Sequence, residues 1–434
     1  MLGCPILKVW SSVETPFSCA SRTRDFRQLA NSNVDVLVIG GGITGAGVAR
    51  DAARRGLVTA LVDRGDFASG TSSRSSRLIH GGIRYLEYKE WHLVFEASRE
   101  RRRLRRLAPH LVRPLPFLIP AYRGSRVPPW KLLAGLWLYD LLATFRNVRR
   151  HDWLGKQAVG RREPGLRDRD LVGAGVYYDA QCDDARLTLA TVRDAAAHGA
   201  RVLNYASVKE FRLADGRIRG AVIRDELSGE EITVQARQVV NATGPWADHV
   251  RRLGDPRCTP IVRLTRGTHI AVARERLGNH GAVTLTSPVD GRVFFVLPWR
   301  HLTYIGTTDV DFGDPDGVRP TGNDVTYLLS SANALFPGSR LASEDVWCAW
   351  AGLRALVRGA PGQPESTVSR EHLIDQLPCG LLSIVGGKLT TYRAMAEAVV
   401  DRIVTIERGR GGGRDTRPCS THTAALPGGE VRDL

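Results

Sequence analysis

Gly40, Gly42 and Gly45 stand between an apolar run, 34–39, and a stretch of small residues, 46–55. That spacing suits a tight turn that lets the pyrophosphate of a dinucleotide approach backbone N–H groups at a helix N-terminus, where the helix dipole favours negative charge. Asp63 follows 18 residues beyond Gly45, at the end of a second apolar run, where a carboxylate accepts hydrogen bonds from an adenosine ribose. A second turn of small residues, Ala242-Thr243-Gly244, ends another buried run at 238–241 and lets a nucleotide lie against backbone. Each motif alone also describes an ordinary glycine turn. Together they favour FAD over NAD.

Three further residues carry proton or charge chemistry. A histidine is the natural base near neutral pH. Of the eleven present, His80 comes first because Gly81 and Gly82 follow it and allow a close bend. His269, on an expected strand, comes second. A hydrogen-bonded core histidine is the plain alternative for either. Lys388 is one of only six lysines and sits in Gly386-Gly387-Lys388-Leu389-Thr390-Thr391, where a strand gives way to the last long helix. An ammonium there stabilises developing negative charge.

The elements that must hold these residues follow from pattern. The β-branched run 34–39 predicts a strand buried on both faces, 46–55 a helix ended by Gly56, and 59–63 a second strand, which makes one βαβ unit. Residues 90–107 predict a charged helix and 130–145 an apolar one, the latter expected in the core of a substrate domain or, less favoured, at a membrane interface. Strand-rich sequence fills 257–310, and a helix is expected over 391–407. The fold class is α/β: a two-dinucleotide-binding, Rossmann-like domain from 34–104, 178–247 and 350–407, with an α+β substrate domain from 105–177 and 248–349. Residues 1–33 are expected to be a loosely ordered extension and 408–434 a tail or linker.

The 434 residues, 43% hydrophobic and 24% charged, allow two or three packed units and exclude low-complexity disorder. The net charge of +16 is carried almost wholly by arginine and favours an acidic partner: an anionic membrane face, nucleic acid or a phosphorylated metabolite. Without a basic tail or an aromatic-basic motif, nucleic acid is set aside. Seven scattered cysteines without a CxxC pair fit a reducing compartment and predict no metal site and no disulfide framework.

The string Thr71-Ser72-Ser73-Arg74-Ser75-Ser76-Arg77-Leu78-Ile79-His80-Gly81-Gly82-Ile83-Arg84-Tyr85-Leu86, after the 40–45 turn, closely resembles the FAD-dependent, aerobic-type glycerol-3-phosphate dehydrogenases. Asn241–Trp246, Gly306-Thr307-Thr308-Asp309 and Gly386–Tyr392 continue the match in order, over about 34–407. The resemblance implies FAD held non-covalently, oxidation of sn-glycerol 3-phosphate to dihydroxyacetone phosphate, and electrons passed to a quinone. It also implies a peripheral place on the inner face of the cytoplasmic membrane and leaves a homo-oligomer open. It assigns Thr71, Ser72, Ser73, Gly387, Leu389 and Thr390 to the cofactor. Arg84, Tyr85, Arg354, Arg370 and Lys388 fall to the substrate, whose phosphate suits arginine forks. Asp63 stands where many flavoproteins of this fold carry Glu, and Arg77 replaces a frequent Lys. The helical C-terminal domain of many members is expected to be missing here. Three alternatives stay open: a glycerol-3-phosphate oxidase using oxygen, an amine or amino-acid oxidase of the same fold, and a non-catalytic anion binder.

Overall fold

Val36, Leu37 and Val38 have no exposure in the computed structural model, which describes residues 17–30, 32–87, 90–359, 371–410 and 415–430. They lie on the strand Asn33–Ile39, which pairs in parallel with Thr59–Val62 on one side and Glu231–Asn241 on the other. A strand flanked by parallel neighbours and covered on both faces is apolar throughout, so its sequence shows no alternation. Leu382–Gly386 adds to the far side of Glu231–Asn241, and Arg201–Leu203 to the far side of Thr59–Val62. With an antiparallel hairpin, Ala206–Ala214 and Arg217–Asp225, and the edge strand His372–Gln376, this makes an eight-stranded sheet.

One face of that sheet is covered by the helices Ile43–Arg54, Asp184–Ala197 and Tyr392–Gly409, whose small residues let them approach closely. Gly47, for instance, leaves only 3.0 Å between an added Cβ and the Tyr392 ring. The other face receives the helix Cys19–Ala30 through Phe26 and Leu29, both buried. Full burial of two such side chains is worth about 1.5–3 kcal/mol each, and Arg22 adds an ion pair to Asp225 at 2.8 Å. The expectation of a loose extension over 1–33 therefore fails for this helix, because its apolar face repeats at helical spacing and meets a hydrophobic sheet. Residues 1–16 lie outside the described residues.

A second sheet, ten-stranded, carries the substrate side. Its long strands Val262–Ala273 and Val346–Val357 pair antiparallel from Val262 to Val357, and Val112–Tyr122 pairs with Leu171–Cys182. The expected boundaries at 177/178 and 349/350 cut through two of these strands, and Leu78–Ile79, assigned to the cofactor domain, pairs with Gln181 and Ala180 of this sheet. Both of the cut strands belong wholly to this sheet, and no composition shift marks where the chain changes sheets.

Two other expectations change. The stretch 415–430 is not a free linker: Leu426 is buried, its N–H donates to Leu107, and the Thr421 and Ala424 carbonyls accept from buried Arg50. The helix Pro129–Leu142 was expected in a core, but only Leu136, Tyr139 and Asp140 are buried. Trp130 is 72% exposed, and Trp137, Leu141 and Phe145 are also exposed. Apolar residues all round a helix do not say which side a sheet will cover.

Candidate active site

The two sheets meet over a groove of about 1090 Å³, at the upper end of small-molecule sites. Its floor is made where parallel strands end side by side, Ile39 beside Asn241. Gly40 (φ +107°) turns out of the first strand, and a Cβ there would stand 2.6 Å from the Ala242 carbonyl oxygen. A Cβ on Gly45 would stand 1.9 Å from the Gly40 carbonyl oxygen. Both positions require glycine for close backbone packing, and Gly45 works from behind the turn without lining the groove.

The helix Ile43–Arg54 opens toward this floor, with Gly42 as an N-cap that contributes no side-chain hydrogen bond. Ser72 Oγ accepts from the Ile43 N–H at 2.9 Å, and the helix dipole points its positive end into the groove. Asp63 lines the wall, accepting from the N–H groups of Gly41 at 2.6 Å and Gly65 at 2.8 Å. Burial raises its carboxyl pKa and these two donors oppose the rise. Thr71 and Ser72 line the groove, and Thr71 Oγ donates to the Leu353 carbonyl at 2.7 Å; Ser73, expected with them, faces elsewhere. Ala242, Thr243, Gly244, Gly387, Leu389 and Thr390 all line it.

The reactive end gathers side chains from distant segments. Thr390 Oγ bridges the N–H and carbonyl of His80, each at 3.1 Å, so the last motif anchors the turn that carries the first base candidate. Behind that turn, Asp179 accepts from the Gly81 N–H at 3.0 Å, from Tyr139 OH at 2.7 Å and from Arg101. Lys388 Nζ lies 3.7 Å from the centre of the Tyr85 ring, a cation–π contact on the inner wall. Tyr85 supports the lysine and does not itself line the groove.

His269 is of another kind. It is buried, its Nε2 is 2.8 Å from Ser76 Oγ, and its ring stacks on Trp350 at 5.2 Å. Burial, with the Arg354 and Arg77 charges, lowers its pKa to about 3. Both causes favour the neutral imidazole. Arg354 lies over Gly267, donates to Asp309 Oδ1 at 2.9 Å and Thr307 Oγ at 3.0 Å, and lines the groove. Arg84 lies on the short helix Ile83–Leu86 but its side chain is outside the described residues, as is all of Arg370.

Ser76, Trp350 and the Asp179–Tyr139–Arg101 group were not singled out from sequence. Ser76 lay inside the long serine-rich string without a distinguishing spacing. The others are remote in sequence, and only the pairing of strands brings them in. The groove also has a clasp: Arg64 pairs with Asp316, lies over the Trp246 ring at 4.5 Å, and Trp246 Nε1 donates to Asp316 at 2.9 Å. The residues present fit FAD: a glycine floor that added methyl groups would fill, a helix N-terminus opening on the groove for the pyrophosphate, and a carboxylate on the ribose side.

A family model described as FAD dependent oxidoreductase matches residues 35–402. A probable mitochondrial glycerol-3-phosphate dehydrogenase of Caenorhabditis elegans is 41% identical over 382 residues, which cover 86% of this chain and 53% of that protein. The aerobic glycerol-3-phosphate dehydrogenase of Staphylococcus aureus (strain USA300) is 37% identical over 407 residues, covering 93% of this chain and 73% of that one. The chain thus spans about half the length of the nematode relative and about three quarters of the staphylococcal one. The crystal structure of a glycerol-3-phosphate dehydrogenase from Bacillus halodurans complexed with FAD superposes with a TM-score of 0.77 at 35% identity, covering 95% of this chain and 71% of that one. The chain belongs to the FAD dependent oxidoreductase family, among its glycerol-3-phosphate dehydrogenases, and FAD is its cofactor.

Proposed function

We propose that this chain oxidises sn-glycerol 3-phosphate to dihydroxyacetone phosphate, with electrons passing on to a quinone. The observation that carries the reading is the meeting of Lys388, His80 and Arg354 on the wall of one groove with the dinucleotide floor. When bound, FAD supplies the hydride acceptor. The protein's part is to hold the phosphoester, take the hydroxyl proton and exclude water.

Arg354 is held by Asp309, Thr307 and the Thr308 carbonyl, which fixes the plane of its guanidinium on the groove wall, where a planar fork suits a phosphate. His80 is the base at the C2 hydroxyl, because its turn is pinned by Thr390 and it lines the groove. His269 also lines the groove, but its burial disfavours the protonated form, so it serves as a neutral wall that keeps Ser76 in place. Lys388 steadies negative charge developing on the substrate oxygen or on the cofactor.

The acceptor reading is joined to a surface. The exposed apolar side chains of Trp130, Trp137, Leu141 and Phe145 are followed in the chain by exposed Arg146, Arg149 and Arg150. A Trp-rich face beside cations suits the headgroup boundary of an anionic bilayer. Among the described residues no helix is long and apolar enough to cross a membrane, so contact would be peripheral, where a quinone is met.

Anaerobic addition of sn-glycerol 3-phosphate to the yellow protein tests the reading. Bleaching with formation of dihydroxyacetone phosphate is expected, and colour that persists with this substrate but bleaches with glycine or proline overturns it in favour of an amino-acid oxidase. Peroxide yield in air compared with reduction of a quinone analogue separates dehydrogenase from oxidase.

A further inference from the structure

Outside the groove, the stretch 415–430 crosses the back of the cofactor domain and brings Cys419 and His422 against Glu397 on the closing helix Tyr392–Gly409. One ligand atom from each of the three lies within 4.8 Å of the other two. Cys419 also engages Asp51 on the helix Ile43–Arg54, and its sulfur is 3.2 Å from Thr421 Oγ. Asp51 has no exposure, and neither of its buried carboxylate oxygens accepts a well-formed hydrogen bond, its charge being met by Arg55 at 2.7 Å.

We propose that Cys419, His422, Glu397 and Asp51 form a structural zinc site that clasps the 415–430 segment to the two helices beneath it. A thiolate, an imidazole and two carboxylates suit a borderline divalent ion in tetrahedral geometry. Around zinc such atoms stand about 3.3–3.8 Å apart, so the Cys419, His422 and Glu397 atoms, all within 4.8 Å of one another, need to draw in only slightly, with Asp51 reached through its contact with Cys419. Binding exchanges the thiol proton and any imidazole proton for the metal.

The competing cations do not block the site, because each has another acid. Arg393, 2.7 Å from Glu397, is also held by Glu100 at 2.6 and 3.0 Å. Arg55, paired with Asp51, also reaches Asp401 at 2.6 Å. Each guanidinium therefore keeps a carboxylate partner when the metal takes the first. Cys419-x-x-His422 contains no cysteine pair, and the other two donors lie on helices far away in the chain, so the spacing of cysteines carries no sign of the site.

Such a clasp has a mechanical consequence. It fastens the segment to Asp51, two turns along the helix whose first turn meets the pyrophosphate, and to the helix that follows Lys388. The site is a structural one and leaves the groove chemistry unchanged.

Metal analysis of the intact flavoprotein, purified from zinc-supplemented cells, tests this. About one zinc ion per chain is expected in the wild type. Cys419→Ser and His422→Ala are each expected to carry only background zinc with unchanged flavin content. A chelator should lower the melting temperature of the wild type and leave that of His422→Ala unaltered. Wild-type protein that holds no zinc after incubation with zinc chloride and desalting overturns the proposal, as does equal zinc in the wild type and both variants. If Cys419→Ser fails to fold, His422→Ala and the chelator measurement decide alone.

Discussion

The two sides of the groove are built by different means. The cofactor floor is backbone: glycines, a helix N-terminus and strand ends whose register is set within βαβ units. The substrate wall is side chain: Arg354 on Asp309, His269 on Ser76 and Trp350, Lys388 on Tyr85, each contact joining segments far apart in the chain. A backbone floor tolerates no added atom but makes few demands on the rest of the sequence. A side-chain wall tolerates size changes and depends on fixed charge and hydrogen bonds. The first decides whether the cofactor is held and the second what is done with it.

Gly45→Ala breaks the floor most severely, because both atoms in conflict are main chain. Loss of about 3 kcal/mol or more is expected, with a flavin-to-protein absorbance ratio near zero. A variant that keeps its flavin would show that the floor yields.

Lys388→Ala is expected to keep flavin and lower the rate of its reduction by substrate about 100-fold or more, read by anaerobic rapid mixing. Wild-type reductive kinetics would remove the lysine from the chemistry. Arg354→Lys keeps the charge and loses the fork, so kcat/KM for glycerol 3-phosphate should fall about 10- to 100-fold, with flavin content intact. If flavin is lost as well, the two sides are not separable in the way described.

His269 sharpens the contrast through pH. Its folded pKa of about 3 lies below the unfolded value near 6.5, so the unfolded chain binds the extra proton between those limits. Stability from this group is present above about pH 6.5 and declines as pH falls toward 3, by up to about 1.4 kcal/mol per pH unit. Denaturant midpoints between pH 7 and 5 should flatten in His269→Gln relative to the wild type. At a single pH, kcat/KM should fall further in His80→Gln than in His269→Gln; an equal loss would remove His80 from the place of the base.

The smallest effect is expected at the clasp. Arg64→Ala removes an exposed ion pair and should change stability by no more than about 1 kcal/mol, while flavin dissociation quickens slightly.

Legibility in the sequence divides along the same line. The glycine turn, Asp63, the small-residue turn at 242–244 and the Gly386–Thr390 strand end were readable, because their chemistry is local and each motif carries its own flanking strand or helix. Thr390 was assigned to the cofactor, yet its bridge to His80 was invisible because 310 residues separate them. The sheet borders were misdrawn because Leu171–Cys182 and Val346–Val357 are uniform strands with no signal of which sheet will hold them. The helix Pro129–Leu142 misled for a related reason: apolarity measures a tendency to leave water and names no partner.

By itself, the order of residues determined a dinucleotide-binding βαβ unit, a second cofactor turn and the identity of the family. Each rests on interactions within a few dozen residues, where covalent spacing limits the geometry. Only the tertiary structure brought His80 and His269 to the same groove, with His269 buried against Trp350 and His80 pinned by Thr390. It also decided that Arg354 is braced by Asp309, that the helix Cys19–Ala30 and the segment 415–430 are docked, and that the tryptophan helix is half bare. Those outcomes depend on burial and on long-range pairing, and burial is a property of everything packed around a residue.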